Sequence, residues 1–161
     1  MILLLFLGFL QDTTQSDTAN IVHYSANKII YDLEKSVIIL YDSAFIKYQD
    51  ITLFSDSAYY HVDSNLLEAF GTCDLRQMND SIKGDYLIYN VETKKALMTS
   101  GKTQLESGFL EGERIYWIDE NTVNAYDGKY TTCSDSPPHY YFYSPKMKVY
   151  LGDMVIARPI V

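Results

Sequence analysis

The chain contains few of the residues on which several protein classes depend. Among its 161 residues are 2 Cys, 4 Pro and 8 Gly. So little Pro and Gly excludes a disordered chain. Basic residues are also scarce, since 13 Lys and Arg against 21 Asp and Glu give a formal net charge of −8. A nucleic-acid partner is therefore not expected, because a duplex binder needs a basic face that releases counterions.

The chain also lacks an apolar run of the ~20 residues that a membrane-spanning helix needs. Residues 1–10 are almost purely apolar, and residues 11–20 are polar. The apolar segment fits the hydrophobic region of a secretory signal, although no Lys or Arg precedes it and no small-x-small cleavage site follows. We predict that residues 1–20 are a signal peptide and polar linker and that the protein is exported. A misassigned start and a buried terminal strand are the alternatives.

Aromatic residues are abundant, with 15 Tyr and 7 Phe, and they favour strands. A pattern of an apolar residue, a turn-capable residue, an aromatic residue, an apolar residue and an acid recurs along the chain. Its three fullest copies are Leu53, Asp56, Tyr60, Val62 and Asp63; Ile82, Asp85, Tyr89, Val91 and Glu92; and Phe109, Gly112, Tyr116, Ile118 and Asp119. A looser copy starts at Tyr24 and a degenerate one at Phe142, so that the starts are 29, 29, 27 and 33 residues apart. This period is typical of a chain that stacks one supersecondary unit.

Each unit is predicted to consist of two strands joined by a tight turn. In the first full copy, Ala58, Tyr60 and Val62 alternate with Tyr59 and His61, as in a half-buried strand. Residues 63–65, 92–94 and 119–121 have turn composition, and second strands are predicted over residues 66–75, 96–105 and 123–132. No segment has helical periodicity. The fold class is therefore all-β, and residues 21–161 form one domain.

Each second strand has a Gly near its middle, at Gly71, Gly101 and Gly128. A repeated mid-strand Gly indicates a bend or bulge where a long strand passes from one sheet to another. Bent antiparallel hairpins added one after another build two facing sheets, a sandwich or jellyroll. Tyr31 and Tyr60 begin a predicted column of aromatic residues, along the interior or along one face, that continues at the equivalent Tyr of the next two units. The residues predicted to line the interior are Leu53, Tyr60, Val62, Ile82, Tyr89, Val91, Phe109, Tyr116 and Ile118.

Residues for catalysis or metal binding are sparse. The histidines, His23, His61 and His139, have no Cys or His neighbours at metal spacing, so they are predicted to be packing or surface residues and no metal site is expected. The acid that ends each full copy is assigned to turn formation, since a catalytic acid is not needed once per repeat. No phosphate loop or nucleophile elbow is present, so neither a cofactor nor an enzymatic activity is predicted.

The two cysteines are predicted not to pair with each other. Cys73 and Cys133 are two repeat units apart, which places their strands roughly 20 Å from one another. A disulfide needs Cα atoms within ~7 Å. Cys73 is assigned to core packing.

Several segments resemble the OstA-like (LptA-like) β-jellyroll family. They are residues 84–90 (Gly-Asp-Tyr-Leu-Ile-Tyr-Asn), 130–133 (Tyr-Thr-Thr-Cys), 138–142 (Pro-His-Tyr-Tyr-Phe), 146–149 and 155–161. The Thr-Thr-Cys segment and the closing Ala-Arg-Pro are most similar to the periplasmic domain of the lipopolysaccharide-assembly proteins known as LptD or organic solvent tolerance protein. The resemblance covers residues 21–161.

The resemblance implies a V-shaped jellyroll of four to five stacked hairpins, located in the periplasm at the inner face of the outer membrane. Such a domain holds lipopolysaccharide by its acyl chains. It receives the lipid from a bridge protein of the same fold and passes it to an outer-membrane barrel with its plug lipoprotein. In the family a barrel follows the Ala-Arg-Pro segment, whereas this sequence stops at Val161. We therefore expect an isolated jellyroll or a fragment.

The resemblance also assigns roles to individual residues. Jellyrolls of this family join edge to edge, and the first unit, with Ile29, Tyr31 and Ile39, is expected to form the edge that faces the bridge protein. Cys133 matches the position whose thiol can be oxidised to a Cys of the barrel, and it is expected to be free here.

Two other functions stay open at this point. The first is an adhesion or interaction module of β-repeats whose interior is a filled core rather than a groove. The second is a polysaccharide hydrolase, which would need two carboxylates ~5–10 Å apart on the interior face.

Overall fold

The computed structural model describes residues 22–77, 80–105, 108–119 and 121–159. The predicted signal segment lies outside these residues. Within them the chain forms strands and turns but no helix, and so contains no helix that could cross a bilayer. The all-β prediction is confirmed. The strands are β1 (His23–Ser25), β2 (Lys28–Asp32), β3 (Val37–Tyr48), β4 (Ile51–His61), β5 (Leu66–Gln77), β6 (Asp80–Asn90), β7 (Ala96–Leu105), β8 (Gly108–Asp119), β9 (Thr122–Thr131), β10 (Phe142–Tyr150) and β11 (Met154–Ala157).

The strands form one open antiparallel sheet in which each strand from β3 to β11 pairs with the next one in the chain. β1 and β2 both pair with β3, β1 along residues 45–47 and β2 along residues 37–41. One end of the sheet is therefore an interrupted strand, and the other end is the short β11. The three predicted second strands coincide with β5, β7 and β9 to within two residues at each end.

Most long strands bend near their middle, where a row of small residues crosses the sheet. The cross-strand pairs Cys73–Gly84, Gly101–Gly112 and Gly128–Ser144 belong to this row, which we call the crease. The backbone at or beside the crease has positive φ on alternate strands, at Asp42, Ser43, Gly71, Ser100 and Asp127. The register shifts between Phe70 and Cys73, which is a bulge at Gly71. The bend predicted from the mid-strand glycines is thus confirmed.

Small residues occupy the crease because the chain packs closely there. A Cβ added to Gly84 would lie 2.4 Å from the carbonyl oxygen of Thr99, and one added to Gly101 would lie 2.8 Å from Cδ1 of Ile115. On either side of the crease the interior is apolar. The row nearest to it consists of fully buried residues, namely Leu40, Ala58, Ala69, Leu87, Met98, Ile115, Ala125 and Met147.

Two further rows form the walls of the interior, one on each half of the bent sheet. The upper wall follows the pairs Ile38, Tyr60, Leu67, Tyr89, Ala96, Trp117, Val123 and Val149. The lower wall follows Ile46, Leu53, Leu75, Ile82, Thr103, Leu110 and Tyr130. Residues of both walls line one cavity, so the two halves face each other.

The third full copy of the sequence pattern is displaced by one residue from the predicted alignment. The wall residues of β8 are Leu110 and Trp117, which are 28 positions after Ile82 and Tyr89. The repeat pattern in the sequence assigned these places to Phe109 and Tyr116. Because side chains alternate between the two faces of a strand, a shift of one residue puts both of them on the outer face. For these two residues the interior assignment was wrong.

Candidate functional site

The space between the two walls is the main concave feature of the molecule. Near the β1–β3 end it is a cavity of about 30 Å³, lined from both halves by residues that include Leu40, Leu53, Tyr60 and Tyr89. None of its described lining residues is Asp, Glu, Lys, Arg or His. About 30 Å³ is one water molecule's share of liquid volume, so side chains nearly fill this section. We call the whole space between the walls the groove.

The groove widens toward its middle. There a hollow of about 290 Å³ is lined by Leu75, Ile82, Tyr89, Ala96 and Trp117, with polar residues at its rim, among them Asp50, Gln77, Lys94 and Asn121. Tyr89 belongs to both sections and separates them. The polar residues thus lie around an apolar floor, as in a site that takes up an apolar ligand from water.

The groove ends at the other edge of the sheet. A hollow of about 420 Å³ is lined there by residues of the β10–β11 hairpin and by Leu105 and Tyr130. The three sections lie along the same wall rows and extend from the first strands to the last. A concave surface therefore follows the whole stack of hairpins, mainly apolar in its first two sections and mixed polar and apolar in the last.

Tyr89 has an unusual environment within the groove. Its side chain is 4% exposed, and its hydroxyl has no hydrogen-bond partner among the residues that the structure describes. Burial, and secondarily the negative charge of Asp50, raises the pKa of this phenol to about 12. At neutral pH the group is a protonated donor in apolar surroundings. Tyr60 differs, because its hydroxyl donates a hydrogen bond to Asn65 Oδ1 at 3.2 Å.

The predicted lining residues divide into two groups. Leu53, Ile82 and Tyr89 are buried in the walls, and Tyr60 and Val91 line the narrow section. The other four lie elsewhere: Val62 is 45% exposed beyond the end of β4, Ile118 is 38% exposed, and Phe109 and Tyr116 are on the outer face. The interior assignment was wrong for Phe109 and Tyr116, whereas that of the partly exposed Val62 and Ile118 stays a prediction. Wall residues such as Leu67, Leu110 and Trp117 were missed, and a period of 28 for the third unit would have identified Leu110 and Trp117.

Two of the three residues predicted to form the docking edge lie in an edge strand of the sheet. Ile29 and Tyr31 lie in the edge strand β2, where Ile29 is 39% and Tyr31 is 56% exposed. Ile39 lies one strand further in, paired with Ile30 on one side and Tyr59 on the other. Its assignment to the edge was therefore wrong. The opposite edge, β11, also exposes apolar residues, at Met154, Val155 and Ile156.

The acids that end the full copies are exposed at turns. Asp63 lies in the turn between β4 and β5, and Glu92 follows β6. Asp119 accepts a hydrogen bond from the backbone N–H of Asn121 at 2.9 Å, and this bond lowers the pKa of the carboxyl group. The turn assignment agrees with these positions, and none of the three acids lies in a wall row.

The cysteines are both free thiols, as predicted for this pair. Cys73 is fully buried at the crease. Cys133 lies in the loop between β9 and β10, with its Sγ 3.6 Å from Nδ1 of His139 and 3.6 Å from Oδ2 of Asp135. The sequence-based expectation that no histidine has a Cys at a spacing suitable for metal binding does not hold for His139, whose imidazole lies next to Cys133. The two residues are six positions apart, and only the path of the loop brings them together.

Three comparisons with known proteins bear on the fold. A family model described as OstA-like protein matches residues 16–110. A search of curated proteins found no match. Among solved structures, the chain is similar to LptH from Pseudomonas aeruginosa, described as the LptA homologous periplasmic component of the conserved lipopolysaccharide transport device. The TM-score is 0.56 and the identity 19%, over 63% of this chain and 78% of that one. At this identity the likeness shows the jellyroll fold alone.

Proposed function

The chain belongs to the OstA-like protein family, and from this premise we propose that it is a non-enzymatic lipid-conduit domain of lipopolysaccharide transport. In this role the protein holds acyl chains of the lipid between the two walls of the groove. It acts in the periplasm, as its structural relative LptH does by description.

The observation that carries this proposal is the composition of the groove. Apolar side chains line its narrow section, and charged residues are confined to the rims of the wider sections. Burying a methylene is worth ~0.8 kcal/mol, so a 12-carbon chain would contribute roughly 10 kcal/mol before the costs of ordering. No charged site is required for such binding, in agreement with the net charge of −8.

Lipid entry requires the walls to separate in the narrow section. The cavity there holds about 30 Å³, which is too small for an acyl chain. The crease fixes one side of each wall, while the opposite side of the groove is open at its rim. We therefore expect the two halves of the sheet to move apart at the rim when lipid binds and to close behind it.

We further propose that the open edges of the sheet dock with neighbours of the same fold. β2 exposes Ile29, Ile30 and Tyr31, and an edge strand offers unpaired backbone groups to another strand. Pairing there would place the groove of a bridge protein in line with this one. The resemblance of residues 130–133 and 138–142 to the outer-membrane component supports a position at the inner face of that membrane, next to a barrel and its plug lipoprotein.

The test places a photo-crosslinking amino acid at adjacent positions that face opposite sides of the sheet. Tyr60 and Trp117 lie in the upper wall, whereas their neighbours Tyr59 and Tyr116 face outward. In cells that make lipopolysaccharide, irradiation should link the lipid to positions 60 and 117 and not to positions 59 and 116. Equal labelling of the two faces, or no labelling of either, would contradict the conduit.

The small volume of the narrow section also favours the second candidate, an interaction module with a filled core. In that case the groove is only packing between the walls, and the edges alone are functional. Wall positions would then take up no lipid in the crosslinking experiment, while partners would be captured from positions in β2 or β11.

A further inference from the structure

The loop between β9 and β10 brings together three side chains of the kinds that bind transition metals. Cys133 Sγ lies 3.6 Å from both His139 Nδ1 and Asp135 Oδ2, and these two atoms are 3.0 Å apart. The three ligand atoms all lie within 4.8 Å of one another. The cluster lies in the loop between β9 and β10, and none of its three residues belongs to a wall row.

These distances match those between ligands of a tetrahedral zinc ion. With Zn–S bonds of about 2.3 Å and Zn–N and Zn–O bonds of about 2.0–2.2 Å, tetrahedral angles separate S from N or O by about 3.5 Å and N from O by about 3.3 Å. A thiolate, an imidazole and a carboxylate together suit Zn²⁺ better than Mg²⁺ or Ca²⁺, which prefer oxygen ligands alone. We propose that Cys133, Asp135 and His139 form a zinc site.

The two ends of the loop are held together by bonds that do not involve the ligand atoms. The backbone N–H of Cys133 donates to Thr131 Oγ1 at 3.0 Å, and this hydroxyl donates to the carbonyl of Tyr140 at 2.6 Å. The hydroxyls of Thr132 and Tyr140 are also hydrogen-bonded to each other. Cys133 and His139 are therefore placed by the pairing of their neighbours, so little ordering is needed when the metal binds.

Room for a fourth ligand is available beside the cluster. Cys133 and Asp135 line a hollow of about 360 Å³, together with residues that include Lys102 and Glu111 of the outer face and Thr103 and Leu110 of the lower wall. Three protein ligands and a water molecule complete a tetrahedral site. The bound ion would cross-link the start and the end of the β9–β10 loop, next to the last strands of the sheet.

The site and the disulfide implied by the family resemblance use the same sulfur atom. A Cys133 that ligates zinc cannot be joined to a barrel cysteine at the same time, so the metal would occupy the reduced protein and leave before oxidation. The proposal therefore applies to the thiol form and is tested under reducing conditions.

The main test is titration of the whole reduced chain with Co²⁺ and then Zn²⁺. Cobalt should give a thiolate-to-metal charge-transfer band and the visible spectrum of a tetrahedral ion, and zinc should displace it. C133S should abolish the band. D135N and H139Q should weaken zinc affinity at least about tenfold, since even changes to residues that only hydrogen-bond to a metal ligand cost roughly 10–100-fold. H23Q and D153N, which change an exposed His and an exposed Asp elsewhere, should bind as the unaltered protein does.

Thiol alkylation provides an independent measurement. Zinc should slow the alkylation of Cys133, while Cys73 serves as an internal reference because it is fully buried and its pKa is raised to about 11. Absence of the charge-transfer band, or the same zinc affinity in the unaltered protein and in H139Q, would overturn the proposal and show an adventitious ion only. If C133S fails to fold, the zinc affinity of H139Q, a variant of an exposed residue, is sufficient to test the proposal.

Discussion

The residues at the crease determine how closely the two halves of the sheet approach each other. Gly84 and Gly101 both lie in this row, but a side chain added to them would meet different neighbours. At Gly84 the nearest atom is a backbone oxygen of Thr99, which cannot move without the strand. At Gly101 it is the terminal methyl group of Ile115, which can change its rotamer.

This difference predicts unequal costs for two matched substitutions. Gly84→Ala should lower the free energy of unfolding by about 1–3 kcal/mol, in the range of an overpacked core, and Gly101→Ala should lower it by less. Urea unfolding followed by circular dichroism measures both. A larger loss for Gly101→Ala would contradict the close approach at Gly84.

The hydroxyl of Tyr89 gives a second prediction at this scale. A buried polar group without a partner costs about 1–3 kcal/mol, so Tyr89→Phe should stabilise the lipid-free protein by up to that amount. Tyr60→Phe is the matched control and should destabilise it, because the hydrogen bond to Asn65 is lost. Thermal unfolding of the two variants should therefore shift in opposite directions.

The pH dependence of the Tyr89 effect has a defined sign. Burial raises the pKa of the folded phenol from 10.0 to about 12, so the folded state favours the neutral form. The free energy of unfolding is therefore not affected by this ionisation below about pH 10. It falls as the pH rises from about 10 through about 12, because the unfolded state then loses the proton that the folded state keeps. The unaltered protein should thus lose stability in this alkaline range more steeply than Tyr89→Phe does.

At the scale of the strand, position in the sheet decides what a substitution does. Ile29 and Ile39 are both apolar strand residues, and the sequence gives no reason to separate them. In the structure Ile29 belongs to the edge strand β2, while β3, which holds Ile39, is paired on both sides. Loss of a backbone donor is tolerated at an edge and not in the middle of a sheet.

Proline at position 29 should therefore impair docking without unfolding the protein, whereas proline at position 39 should unfold part of it. Ile29→Pro should leave the melting temperature close to that of the unaltered protein and abolish co-purification with a bridge protein of the same fold. Ile39→Pro should unfold the first hairpins and lower the melting temperature. Undiminished co-purification of Ile29→Pro would show that β2 is not the docking edge.

How much the sequence predicts depends on the element. The turn at residues 63–65 and the second strands were found because turn residues and alternation are local signals. The wall residues of β8 were misplaced because Tyr116 and Trp117 are adjacent aromatic residues, and the repeat pattern fits either of them. A shift of one residue in the alignment moves a side chain to the opposite face of the strand. The Cys133–His139 contact was missed because it depends on the folded loop and not on any periodicity.

The whole molecule is a stack in which strands pair mainly with their chain neighbours. Stability in such a chain is approximately the sum of unit stabilities and nearest-neighbour interfaces. Removing a terminal strand should then cost one interface and leave the other strands in place.

A chain shortened to end at residue 153, which removes β11, should accordingly retain its strand signal in circular dichroism and melt at a lower temperature. Deleting the central residues 66–90, which form the β5–β6 hairpin, is the control and should be more damaging, because the β4–β5, β5–β6 and β6–β7 interfaces are lost and a new β4–β7 interface must form. Complete unfolding of the first variant would show that the sheet is stabilised as a unit.

The crease also implies that the length of the groove is set by the number of hairpins. Because every added hairpin contributes two strand spacings, about 9.6 Å, to the trough without altering its cross-section, length depends only on how many copies a gene contains. A duplication would therefore yield a longer passage with the same bore. The length of the groove can in this way change without any change in its cross-section.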